Sequence, residues 1–334
     1  MRKVVIGAFI VAASALLLAP AGASNTAGSA GAEDGVRIVN FNILHGVFCE
    51  PESDFCQAAD RVELFGQQLE ESGCPEVVGL QEIRSEMSEA LDELIKDICD
   101  GAYQNVFKDV DNGVDAERLL TTLKVKSEKV IELAGGFRTA SRVVLKSAIG
   151  PLVVTTTHQD GDPDEPSAGC AICQPPRFKG CSPDRGIFEC QADATIAFTE
   201  EVGGTKAVRV IMGDFNVDAT TERYGSHIEA GYVDSHLEAG NAECVEATGV
   251  NCTSGRADDT IVALKDPAAT ESHRIDMIFV KSSAKCDVVF DSDADEDGDG
   301  IGTGLFFDEP TVDGPGGIVW VSDHTAVSAD LSCG

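Results

Sequence analysis

The sequence predicts one α/β domain, on three observations. Strand-like and helix-like segments alternate from Val36 towards the C-terminus, no linker divides them, and short polar clusters close several of the apolar strand-like runs. The 334 residues, 43% hydrophobic, are enough for a sizeable core.

The elements follow in order. Residues 36–44 alternate apolar and polar and read as a strand, and Ala58, Val62, Phe65 and Leu69 sit at helical spacing. Residues 77–80 form a short buried strand. Met87, Leu91, Leu94, Ile95 and Ile98 make an amphipathic stripe that predicts a helix over 85–99. Strands are expected near 128–134, 140–147 and 151–157, then a helix near 191–202 and a strand at 207–212. The last third carries strands near 275–280, 286–290 and 325–331.

The first 23 residues stand outside this domain. Arg2 and Lys3 precede an apolar run of about 15 residues, short of the roughly 20 that a membrane span needs. Ala21-Gly22-Ala23 supplies small residues for signal-peptide cleavage near Ala23. An exported, extracellular protein is therefore expected, with 24–35 a small-residue lead-in and 36–334 the folded domain. Export makes the twelve cysteines candidates for disulfides. Cys49 with Cys56 and Cys244 with Cys252 suggest short local loops. Cys170, Cys173, Cys181 and Cys190 fall in 160–190, a Gly-, Pro- and Asp-rich insertion without periodicity. Cys170-x-x-Cys173 resembles half a zinc ribbon, but Cys181 and Cys190 lack the spacing of a second knuckle, so disulfides are expected there too.

The formal charge is −32, and loss of the two positive charges Arg2 and Lys3 takes it to −34. This argues against sequence-independent adhesion to nucleic acid, which depends on Lys and Arg displacing counterions. It does not exclude phosphate-ester chemistry, because a bound cation inverts the field of an acidic cleft. Solubility accounts for most of the charge. A second insertion, 291–304, is acidic and Gly-rich, with Asp291, Asp293, Asp295, Asp297 and Asp299 at alternate positions. It resembles an oxygen cage for structural Ca²⁺, without the glutamate of an EF-hand; a solvated acidic loop is the competing reading.

The chemistry-bearing residues lie at strand ends, where α/β proteins build sites. Asn40-Phe41-Asn42 ends the first strand, Gln81-Glu82 the second and Thr157-His158 another. Gly213-Asp214-Phe215-Asn216 follows the apolar 208–212. Arg274-Ile275-Asp276 and Ser322-Asp323-His324 come late in the chain. In this order the clusters resemble the endonuclease/exonuclease/phosphatase superfamily, which includes deoxyribonuclease I, exonuclease III, bacterial sphingomyelinases and inositol-phosphate phosphatases. The resemblance runs from about Arg37 to Leu331.

The resemblance implies a deoxyribonuclease-I-like α/β (α+β) fold, a four-layered sandwich of two mixed β-sheets packed face to face with helices outside. It also implies Mg²⁺- or Mn²⁺-dependent hydrolysis of a phosphate ester by in-line water. Glu82 would be the principal metal ligand, with Asn42 beside it and Asp323 contributing. Asp214 and Asn216 would orient water and bind phosphate. His324, oriented by Asp276 on an adjacent strand, would act as base or electrostatic stabiliser, and His158 would donate to a phosphoryl oxygen or the leaving group. Arg138 or Arg142 would contact the phosphate. A Tyr or acidic residue that the superfamily often places between the Glu82 and His158 motifs has no clear counterpart; Tyr103 and Glu117 fit it poorly.

The expected partner is a phosphate-ester substrate, met by a monomer with no protein partner. A nuclease would want a basic track, for which Lys124, Lys126 and Lys129 are a modest cluster that also reads as a solvated strand face. A sphingomyelinase-like or small-molecule phosphodiesterase would want exposed apolar loops, for which Phe306-Phe307 is an example that also reads as core. The motif similarity favours a nuclease. A non-enzymatic calcium-dependent binding module would be expected to lack one or more of Glu82, Asp214, Asp323 and His324, and all four are present.

Overall fold

A computed structural model describes residues 35–49, 54–107, 116–135, 138–161, 186–256, 261–291 and 302–334. Its strands, in chain order, begin with β1 (Val36–Asn42), β2 (Val77–Ile83), β3 (Gln104–Val106), β4 (Ala116–Thr121), β5 (Lys124–Glu132), β6 (Thr139–Ser147) and β7 (Gly150–His158). They continue with β8 (Val208–Asp214), β9 (Val233–Asp234), β10 (Asp276–Lys281), β11 (Val288–Phe290), β12 (Gly304–Phe306) and β13 (Ala326–Cys333). One sheet has the order β11-β13-β1-β2-β4-β3, with β12 also paired to β13; the other has the order β5-β6-β7-β8-β10-β9. Both are mixed, since β1 runs parallel to β2 and β7 parallel to β8 while the remaining pairs are antiparallel.

The period of two along each strand explains how the sheets pack. Val36 and Ile38 of β1, Leu152 and Val154 of β7, Val208, Val210 and Met212 of β8, and Ile278 and Val280 of β10 belong to one buried cluster between the sheets. The alternate residues of β1, Val39 and Phe41, face outward against α1 (Asp54–Glu71) and α2 (Ser85–Leu94). On the other side Ala194 and Phe198 of α3 (Ile187–Glu200) cover Leu133 and Ala140, and α4 (Glu222–Glu229) lays His227 on Phe279 at 4.4 Å. The layers are helix, sheet, sheet, helix, as expected.

Differences from the expected elements have local causes. Helix α2 stops at Leu94 rather than 99, and a separate 3₁₀ turn, Ile98–Gly101, follows, in which Cys99 adopts a φ of 51° and joins Cys74 in a disulfide. β4 was not anticipated: its sequence Ala-Glu-Arg-Leu-Leu-Thr carries two charges, yet every residue in it is buried. Cys49–Cys56 and Cys244–Cys252 pair as expected, and Cys286–Cys333 ties β13 to the segment before β11. Cys190 is disulfide-bonded; Cys170, Cys173 and Cys181 lie outside the described residues, as do the signal segment 1–23 and Asp293, Asp295, Asp297 and Asp299. Among the described residues no helix is long and apolar enough to cross a membrane. Phe306 is 4% exposed, and Phe307 packs against Phe41 and Phe65, so this pair is core. Lys124, Lys126 and Lys129 lie on the edge strand β5, where Lys129 pairs with Glu201 at 3.4 Å.

Candidate active site

Each inner strand face changes from apolar to polar towards one end of the sandwich. On β1, Val36 and Ile38 give way to Asn40 and Asn42; on β7, Leu152 and Val154 give way to Thr156 and His158; on β8, Met212 gives way to Asp214. Register then sets the polar ends side by side. Asp214 lies opposite His158 on one flank and opposite Asp276 on the other, which puts three ionisable groups in one row across β7, β8 and β10. Gly213 permits the close approach of β7, since a Cβ there would meet the Thr157 carbonyl oxygen at 1.9 Å.

Glu82 enters this space through an irregularity. The pairing of β2 with β4 shifts between Leu80 and Ile83, and Glu82 has a φ of 63°. Such a bulge re-aims a side chain that strict alternation would send to the opposite face. Gln81 thus bonds Asn40 and Thr156 at 2.8 and 2.9 Å, while Glu82 also reaches the site. The side-chain amide of Asn42 donates to Glu82 Oε1 and to Asp214 Oδ2, both at 3.0 Å, and so joins the two sheets. Asp214 Oδ1 accepts the Asn216 backbone N–H at 2.8 Å, and Asn216 Nδ2 lies 3.0 Å from His158 Nε2.

His324 closes the site from the segment before β13. Its Nδ1 is 2.8 Å from Asp276 Oδ2, and its Nε2 is 3.9 Å from Asp214 Oδ2. The two residues were expected on adjacent strands; instead β10 and β13 belong to opposite sheets and the pair forms across the sandwich. Asp323 is 6% exposed and accepts from Ser322 Oγ at 3.0 Å.

Two buried guanidinium groups hold the loops that carry these residues. Arg61, fully buried on α1, donates to the carbonyls of Ile43, Leu44, Phe55, Cys56 and Val321. Arg256 donates to the carbonyls of Ser322 and His324 at 3.2 and 2.9 Å and to Thr325 Oγ1 at 2.8 Å. It also pairs with Glu271 at 3.1 Å and stacks on Trp320 at 3.8 Å. A cavity of about 380 Å³ lined by Arg256, Glu271 and Trp320 lies behind this segment. Neither arginine was anticipated, because a lone Arg in a helix or loop normally reads as a surface residue.

His45 was not anticipated as a site residue, and Glu117, judged a poor fit from the sequence, joins it there. The backbone N–H of His45 donates to Glu82 Oε2 at 2.8 Å, and its ring Nδ1 lies 3.6 Å from the same oxygen. Glu117, fully buried on the inner face of β4, accepts from Thr139 Oγ1, and it and His158 feel each other's charge. The sequence signal for Glu117 was its position two residues before the inward Leu119. Tyr103 instead donates to the Pro75 carbonyl at 2.7 Å in the outer core. Arg138 bonds Asp160 at 2.8 Å, and its charge reaches His45 and His158. Arg142 is turned towards α3, where it stacks on Phe198 at 4.0 Å.

Burial sets the electrostatics, and the neighbours decide the outcome. Burial pushes the Glu82 carboxyl up, but His158, His45 and the Asn42 hydrogen bond together hold it down at about 2. Burial raises Glu117 to about 7. Burial lowers His158 against the pull of Asp214. It would lower His324 as well, yet the charges of Asp276 and Asp323 carry that imidazole well above the ordinary histidine value. Among the described residues, two groups bring ligand atoms within 4.8 Å of one another, Glu82 with His158 and Asp214, and Asp214 with Asp276 and His324. Asp323 belongs to neither. The first group offers two hard carboxylate oxygens, from Glu82 and Asp214, beside the His158 ring, a set that suits a small divalent cation more than a soft one, while Asn42 Oδ1 accepts the Leu44 N–H at 3.0 Å.

Known proteins resemble this chain in sequence pattern and in fold. A model of the Endonuclease/Exonuclease/phosphatase family matches residues 39–324. Zebrafish (D. rerio) TDP2 in complex with a single-strand DNA product is 16% identical over 89% of this chain and 98% of that one, with a TM-score of 0.59. A mannosyl-6-phosphatase of Bacteroides thetaiotaomicron is 15% identical over 89% and 99%, with a TM-score of 0.58. A protein of the same family from Bacteroides vulgatus is 19% identical over 90% and 99%, with a TM-score of 0.56. At these identities the structures share the fold. No curated protein sequence matches the chain.

Proposed function

This chain belongs to the endonuclease/exonuclease/phosphatase family, a family of phosphate-ester hydrolases, and on that premise we propose that it is an exported, Mg²⁺- or Mn²⁺-dependent phosphodiesterase. The observation that carries the reading is the row His158–Asp214–Asp276, closed from the opposite sheet by Asn42 with Glu82 and by His324. Four carboxylates, Glu82, Asp214, Asp276 and Asp323, converge on this end of the sandwich, and a hard cation offsets their mutual repulsion.

Glu82 would hold the metal, with Asn42 beside it and Asp323 at the margin. When bound, the cation supplies Lewis-acid stabilisation of the phosphoryl oxygens. The protein's own groups do the rest. Asp214 accepts a proton from the attacking water, with Asn216 fixing its orientation. His324, kept cationic by Asp276, stabilises charge at the pentacovalent phosphorus. His158 donates to the leaving oxygen, Glu117 serves as its buried acidic neighbour, and Arg138 steers the phosphate. Arg142 has no place in this scheme, being engaged at α3.

The disulfides suit an oxidising compartment, and with the N-terminal leader they support secretion. The charge and the position of the lysine cluster on an edge strand favour short or small phosphodiesters over long duplex nucleic acid. Membrane contact through Phe306-Phe307 is not supported, since that pair is core. The test is a turnover screen of the mature protein with Mg²⁺ or Mn²⁺ against DNA, RNA, sphingomyelin and bis-p-nitrophenyl phosphate. Hydrolysis of the small diester with little action on duplex DNA is expected. Inactivity towards every ester with either metal would refute the reading.

A further inference from the structure

An exposed aromatic ring stands beside the metal-holding carboxylate. Phe48, on the loop between β1 and α1, is 74% exposed, and Val47 next to it is 37% exposed. The Phe48 ring contacts the His45 ring edge to face, centroids 5.4 Å apart. The His45 backbone N–H in turn holds Glu82 Oε2 at 2.8 Å. One ring therefore separates Phe48 from the carboxylate.

Residues 45–49, which carry Phe48, are tied down. Cys49 is tied to Cys56 at the start of α1, and the Val47 N–H donates to His45 Nδ1 at 3.0 Å. Gly46 takes a φ of 68°, and a Cβ there would strike the Phe55 carbonyl oxygen at 2.3 Å, so the turn is packed against the helix. A large aromatic held rigidly in water loses the burial that ordinarily places Phe inside. Its flat face costs little entropy to use for binding, as at other aromatic recognition surfaces.

We propose that Phe48 is a stacking platform for a flat conjugated group esterified to the phosphate, either a nucleobase or an aryl ring. This rests on the phosphodiesterase reading above and narrows its substrate. The phosphate would sit at the cation that Glu82 holds, and the ring on its ester arm would lie against Phe48 on the near side of His45. An aromatic contact also suits a chain whose net charge of −32 repels long polyanions, because stacking recognises a short substrate without adding cations.

Calorimetric binding to the whole protein with Mn²⁺ present tests this without relying on turnover. Two ligand pairs are compared, adenosine 5′-monophosphate with ribose 5-phosphate and phenyl phosphate with methyl phosphate. The ring-bearing member should bind about tenfold more tightly. In Phe48→Ala the ratio should fall close to one, and Phe48→Trp should retain it. Loss confined to the nucleotide pair identifies a nucleobase, loss confined to the phenyl pair an aryl group. A ratio of one in the unaltered protein, or a ratio unchanged in Phe48→Ala, overturns the proposal. So does a Phe48→Ala variant that loses only binding to phosphatidylcholine vesicles, which would make the ring a membrane contact. The ratio is read whether or not the protein turns over any ester, so failure of the enzymatic reading is seen separately, in the rate with bis-p-nitrophenyl phosphate.

Discussion

His324 and Asp276 meet across the interior of the sandwich, with Nδ1 2.8 Å from Oδ2, although they reside in opposite sheets. The contact fixes the ring so that Nε2 points towards Asp214. A polar group oriented in this way commonly contributes on the order of 10²–10³ in rate. His324→Ala and Asp276→Asn are each expected to lower kcat by about that factor while KM changes little. Steady-state kinetics on the folded variants checks it. A His324→Ala protein that turns over near normally would remove the imidazole from the mechanism.

Arg256 is expected to act on His324 through the backbone. It holds the His324 and Ser322 carbonyls and neutralises Glu271 in a buried pair. Truncating one partner of such a pair costs about 3–5 kcal/mol of stability. Arg256→Ala should therefore melt lower and lose kcat more than it raises KM. Because the side chain lines a cavity, added guanidinium ion should restore part of the rate. An unaltered kcat in a folded Arg256→Ala protein would leave Arg256 a purely structural residue.

A pH effect on stability should come from His227. It is buried against Phe279 on α4, with Nδ1 3.0 Å from the Arg223 carbonyl, and burial lowers its pKa to about 4. The unfolded chain takes up a proton near pH 6.5, whereas the native ring stays neutral until about pH 4. The stabilisation is therefore complete above pH 6.5 and is lost as pH falls from 6.5 to 4, by about 3 kcal/mol in all. Urea unfolding at pH 7.5, 6 and 4.5 should show this slope, and His227→Asn should flatten it. An unchanged slope in the variant would assign the acid sensitivity to other groups.

Much of the site was legible because strand parity is written in the chain. Val36-x-Ile38-x-Asn40-x-Asn42 and Val208-x-Val210-x-Met212-x-Asp214 each show an apolar face turning polar at one end. Those ends meet because both strands are central to their sheets. What escaped reading depended on contacts distant in sequence. Glu117 fitted its place in the family pattern poorly from sequence because β4, buried between β2 and β3, was not anticipated. Arg61 and Arg256 bond backbone carbonyls from several separate segments, which no local pattern records. The Asp276–His324 contact was foreseen, but its passage between sheets was not, since adjacency of strands cannot be read from their apolar runs alone.

The metal dependence turns on Glu82, whose carboxyl lies at the bulge of β2 and is held at about 2. Glu82→Gln keeps the shape and the Asn42 contact but removes the charge that holds a hard cation. Turnover of bis-p-nitrophenyl phosphate by the mature protein, measured with Mg²⁺, with Mn²⁺ and in excess chelator, is the most direct test. Activity should require either metal, vanish in chelator and fall at least about 100-fold in a folded Glu82→Gln variant. A full rate in excess chelator would contradict the account.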